Sequence, residues 1–105
     1  MKKEVIYSQD ALSDVEEIKA CITDVLSNPV SAQRTVERIV READRLAENP
    51  EIGPKVSSRF VINTEYRFFV VGKYLIIYLI GDESVRIIRV LDGRQDYLRI
   101  LFPVS

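Results

Sequence analysis

Six side chains in the second half of the sequence, Arg67, Tyr74, Tyr78, Arg89, Arg94 and Tyr97, have the types and spacing with which this chain could do chemistry. Arginines fixed on strands can clamp a phosphate and stabilise charge building on it, and a tyrosine can stack on an unpaired base or share a proton. There is no histidine, so the commonest general base is missing and proton transfer falls to Lys, Arg, Tyr, Asp or Glu. A phosphate-binding glycine loop, a nucleophile elbow, an HExxH helix and a calcium loop are all absent from the sequence. Each candidate also has a plain structural reading. Tyr74 and Tyr78 stand four apart on one strand, share a face and read as core residues with hydroxyls at the rim. Arg89 could pair with Asp92 or Asp96. Arg94 stands apart, because an arginine just past a strand and an Asp-Gly turn sits at an exposed element end.

Three strand-like runs position these residues: Tyr66 to Val71, Tyr74 to Ile80 and Val85 to Leu91. Gly72-Lys73 and Gly81-Asp82-Glu83-Ser84 separate them with turn chemistry suited to tight hairpins, which predicts an antiparallel meander. The middle run, YLIIYLI, has no polar alternation and must be covered on both faces, whereas its neighbours carry Arg67, Arg86 and Arg89. Upstream, Lys3 to Tyr7 reads as a short strand and Ser8 as the cap of a helix whose apolar stripe is Leu12, Val15, Ile18, Ile22, Val25 and Leu26. Asn28-Pro29 stops that helix and starts a second, to about Ala47, with Ala32, Val36, Ile39, Val40, Ala43 and Leu46 inward. So short a link predicts an antiparallel helical hairpin. Residues 49 to 65 read as a docked loop, and Arg94 to Leu101 as a short terminal helix. The expected fold is therefore α+β, in the order β-α-α-β-β-β(-α), with the helical hairpin packed on an antiparallel sheet.

At 105 residues the chain reads as one domain, residues 1–105, with a single core. Its one cysteine, Cys21, falls in a helical pattern, which excludes an internal disulfide and a four-cysteine metal site and fits a reducing, cytoplasmic location. No cofactor is expected. Neither a signal-peptide core nor a membrane-spanning run is visible, so no membrane partner is expected. The net charge of -1 hides an asymmetry: residues 1–54 carry seven Lys/Arg against eleven Asp/Glu, and residues 55–105 carry eight against five. A basic sheet half can meet nucleic acid or an acidic protein, although an ordinary solvated sheet surface looks the same.

Four stretches in this order, YSQDALSDVEEI, LAENPEIG, YRFFVVGKYLIIYLI and RIIRVLDGRQDYLRIL, resemble the RelE/ParE superfamily, the toxins of bacterial type II toxin–antitoxin pairs. The resemblance spans about residues 3 to 102. It implies a cytoplasmic bacterial growth inhibitor neutralised by a cognate antitoxin, whose flexible tail gains order on binding. Two activities occur on this fold: RelE-like members cleave messenger RNA on the ribosome, and ParE-like members poison DNA gyrase. On the RelE-like reading, Arg67, Arg89 and Arg94 hold phosphate while Tyr97 or Lys73 assists proton transfer. Leu75 stands where RNA-cleaving members often carry arginine, and Ile100 where a late aromatic or histidine is expected. RVLDGRQD reads like the ParE branch. The expectation is thus a ParE-like gyrase poison, with a ribosome-dependent endoribonuclease and a non-toxic family member as the alternatives.

Overall fold

The computed structural model describes residues 2–58, 64–93 and 97–102. It contains β1 (Glu4–Tyr7), α1 (Gln9–Val25), α2 (Pro29–Glu48), β2 (Arg67–Val71), β3 (Tyr74–Ile80), β4 (Ser84–Asp92) and α3 (Tyr97–Leu101), with 3-10 turns at Pro50–Ile52 and Val56–Ser58. Both helix starts use the side chains that the sequence offers. The Ser8 hydroxyl accepts from Ala11 N at 3.0 Å, and the Asn28 side chain accepts from Ser31 N at 3.1 Å.

The strand order is β1-β4-β3-β2. Strands β2, β3 and β4 form the antiparallel meander, whose first turn has Gly72 at φ 61, a conformation that glycine adopts without strain. On its far side β4 takes β1 in parallel, Val5 opposite Val85, so the four-stranded sheet is mixed. Parallel neighbours need a long crossover, and everything from α1 to β3 lies within this one. A bulge interrupts β4: Ile77 faces Arg89 and Tyr78 faces Ile87, leaving Ile88 as the extra residue. Its carbonyl accepts from the Ser8 hydroxyl at 2.6 Å, so the cap of α1 also pins the bulge.

As the unbroken apolar run of β3 predicts, the sheet is covered on both faces. Ile76 and Tyr78 join Ile39, Ala43 and Leu46 of α2 in the larger core, while Ile77 joins Val56, Phe68 and Leu91 in a smaller one, against which Ile100 and Leu101 of α3 pack. Truncating Ile39 or Leu46, both wholly buried, to alanine would cost about 2–5 kcal/mol. The inward face of α1 keeps Val15, Ile18 and Ile22 of the expected stripe but not the other three residues. Leu12, Val25 and Leu26 are exposed, and the buried residues are Ala11, Asp14 and Ile22. Small Ala11, at no exposure, meets the core directly, and Asp14 turns inward because it finds the partly buried guanidinium of Arg89.

The Tyr7 hydroxyl is enclosed without a hydrogen-bond partner among the described residues. Burial, and then the charge of Asp44, push its pKa above the usual 10.0; burial does the same to Tyr78. A raised folded-state pKa means stability that is fully present below about pH 10 and lost as pH climbs past it, where only the unfolded chain releases the proton. Tyr7→Phe should therefore leave the Tm at pH 7 unchanged or raised, within about 1 kcal/mol, since it deletes an unpaired buried group. Above pH 10 its Tm should fall less steeply than that of the parent. Thermal melts at the two pH values check both expectations.

Candidate functional site

Arg67 opens β2, and its Nη1 donates to the Gly53 carbonyl at 2.7 Å. The same loop is held from below by Tyr78, whose hydroxyl donates to the Pro50 carbonyl at 2.7 Å and accepts from Gly53 N at 3.0 Å. Tyr78 is fully buried, as its spacing from Tyr74 predicts, and its hydroxyl is a structural latch on the loop after α2. Arg67 completes that latch.

Arg89 leaves β4 next to the bulge and meets Asp14 of α1 in a two-pronged contact, Nε to Oδ2 and Nη2 to Oδ1, both at 2.7 Å. Asp14 also accepts from Val90 N at 3.0 Å, so three N–H groups satisfy one buried carboxylate. The hydrogen bonds to Asp14 push the Arg89 pKa above its ordinary value against the opposing effect of burial, and the guanidinium stays charged at every ordinary pH. The carboxylate that Arg89 engages among the described residues is thus Asp14, 75 residues away in sequence; Asp96 lies outside the described residues. With β3 between their strands, Arg67 and Arg89 are sent to different partners, and the structure does not bring them together on one ligand. Arg94 and the side chain of Tyr97 lie outside the described residues.

Lys73 and Tyr74 are common to three clefts, two of which are walled by the helical hairpin. One, of about 250 Å³, lies under the tip of the helical hairpin and is lined by Ile22, Leu26, Thr35, Arg38 and Val71. The other, of about 370 Å³, runs between α1 and β4 past Glu17, Cys21, Arg89 and Asp92. The Lys73 ammonium sits 5.5 Å from the centroid of the Tyr74 ring, a cation–π distance. Among the described residues no three His, Cys, Asp or Glu are grouped to hold a metal, and no helix is long and apolar enough to cross a membrane. What the site offers is shaped apolar surface whose rim is basic at the hairpin tip, with Arg38 and Lys73, and mixed in charge between α1 and β4, where Glu17 and Asp92 join Lys73 and Arg89.

A family model described as the ParE toxin of the type II toxin-antitoxin system, parDE, matches residues 5–97. The chain belongs to the ParE toxin family. Among its relatives is Toxin RelE2 of Caulobacter vibrioides, 34% identical over 87 residues that make up 83% of this chain and 91% of the relative. The toxin fold is shared with solved structures of low sequence identity. A chain from a chromosomal ParDE system of P. aeruginosa superposes with a TM-score of 0.72 at 17% identity, covering 87% of this chain and 96% of that one. Another, from the RelBE2 toxin–antitoxin complex of Mycobacterium tuberculosis, gives 0.65 at 18% identity, covering 88% and 99%. This ParE-family toxin holds one charged residue that its sequence disguised. Asp14 sits among surface acids in the sequence, and its only signal is that it shares a helix face with Ala11 and Ile18.

Proposed function

We propose that this toxin arrests growth by binding and poisoning DNA gyrase, as ParE-like members do, and that a cognate antitoxin neutralises it in the cytoplasm. One observation carries the preference for binding over RNA cleavage. Both candidate phosphate-holding arginines whose side chains are described are already engaged, Arg67 by a backbone carbonyl and Arg89 by a buried carboxylate. Freeing Arg89 for a phosphate would strand Asp14 without its counter-ion, at a cost that ligand binding would have to exceed. The match to the ParE family supports the same reading. Solved relatives from P. aeruginosa and Mycobacterium tuberculosis come from toxin–antitoxin systems, which supports the antitoxin as partner.

The test is to induce the chain alone in a bacterial host and follow labelled thymidine and labelled amino acid. Thymidine incorporation should fall first, with a DNA-damage response. The competing reading, a ribosome-dependent endoribonuclease, is favoured by the name of the Caulobacter vibrioides relative, Toxin RelE2. It requires amino-acid incorporation to fall first, and toxicity to vanish in Arg94→Ala while antitoxin affinity persists.

A further inference from the structure

Helix α2 carries arginine at 34, 38, 41 and 45, all exposed. At about 100° per residue these four fall within a wedge of about 60° and span about 16 Å of the helix, and Val30 continues the row one turn earlier. Arg45 contacts Glu42 at 2.8 Å. Among the described residues no ion pair or hydrogen bond engages the side chains of Arg34, Arg38 or Arg41. The row is not an isolated charge run. At its start, Leu26 and Val30 are 62% and 61% exposed, and Leu26 also walls the neighbouring cleft with Arg38, Val71, Lys73 and Tyr74.

We infer that this arginine row and the apolar tip beside it form a docking surface for an acidic amphipathic helix of a protein partner. A partner helix with carboxylates at the same three-and-four spacing can meet the row along its length, while one or two apolar residues enter the cleft at Leu26 or cover exposed Val30. Charge pattern separates a protein from a nucleic acid. Glu37, Glu42 and Glu48 flank the row, and an unbroken phosphate backbone would be repelled by them, whereas a protein helix can alternate its charges to match. Exposed Leu26 and Val30 also offer apolar contacts that a phosphate backbone does not use. The inference rests on the antitoxin reading above in making the partner a protein, and it adds where that partner lies and what sequence chemistry it brings.

The probe is a synthetic 18-residue helical peptide with glutamates at i, i+4, i+7 and i+11 and leucines on the adjoining face. It is compared, by fluorescence anisotropy with the full chain, to a scrambled peptide of equal composition and to a 20-base-pair DNA duplex. The ordered peptide should bind best, and Arg34→Glu/Arg38→Glu/Arg41→Glu should weaken it about tenfold or more, the sum of three exposed ion pairs. Binding should also weaken with salt. Equal binding of the scrambled peptide, tighter binding of DNA, no binding of the ordered peptide, or an affinity indifferent to the triple substitution would each overturn the inference. The triple variant should still arrest growth when expressed alone. Loss of arrest in a folded variant would assign the row to the toxin's target instead, and this outcome is distinct from failure of the gyrase reading, which the thymidine measurement decides.

Discussion

Asp14→Ala should destabilise the protein by about 3–5 kcal/mol, a large part of the margin a domain of this size holds. The loss has three sources. Arg89, 25% exposed at its side chain, keeps a charge that no other described contact neutralises as closely, Val90 N–H loses its acceptor, and α1 loses its tether to β4. An exposed ion pair would contribute a fraction of this, and the 9% exposure of Asp14 is what moves the pair out of that class. Replacing both partners with apolar residues, Asp14→Leu with Arg89→Met, should recover most of the loss, because it removes the stranded charge along with its partner. Urea unfolding of the two single variants and the double variant gives the coupling directly. A single-variant loss below about 1 kcal/mol would mean that the pair is solvated and that Arg89 is available to a ligand after all.

Gly53→Ala is the second large expected effect, about 2–3 kcal/mol. The φ of Gly53 is -87°, a value open to any residue, so conformational freedom is not the reason for glycine here. Space is. A Cβ at this position would press on the Phe68 carbonyl oxygen and lie 2.5 Å from the Tyr78 hydroxyl, one a strand backbone atom and the other the end of a fully buried side chain. Neither can yield without breaking the latch that Tyr78 and Arg67 close on residues 50 to 53. Chemical denaturation should show a lowered midpoint, and hydrogen exchange should show that loop deprotected first. An alanine variant with unchanged midpoint would show that the loop sits more loosely on β3 than these contacts require.

Most of the fold was legible because local signals and tertiary structure agree. Ser8 and Asn28 cap the helices they precede, Gly72 makes the turn its position calls for, and the uniform apolarity of YLIIYLI correctly required two covered faces. The docking of β1 beside β4 was not legible, since a four-residue strand specifies an alternation and not a neighbour. Val15, Ile18 and Ile22 of the α1 stripe do face the core, and the rest of it was misread for a physical reason. Periodicity weighs Leu12, Val25 and Leu26 as core, but the helix turns to bury Asp14 against Arg89, and an ion pair between residues 14 and 89 leaves no local trace. That pairing also changes how the site reads. Arg67 and Arg89 looked alike in the sequence as strand arginines, yet each is held by a different part of the scaffold. The arginine row of α2 lay inside a half of the chain whose net charge is acidic, so bulk charge hid a local pattern that spacing reveals.

We propose that this ParE-family toxin acts by engaging gyrase and not by cutting RNA. The most direct measurement adds the purified chain to gyrase, ATP and relaxed plasmid, beside a parallel reaction with translating ribosomes and a defined messenger. Supercoiling should be blocked with the messenger left intact, and an Asp14→Leu/Arg89→Met variant that remains folded should still block it. Unimpaired supercoiling with cleavage of the messenger, abolished by Arg94→Ala, would contradict the claim and return the arginines to a catalytic role.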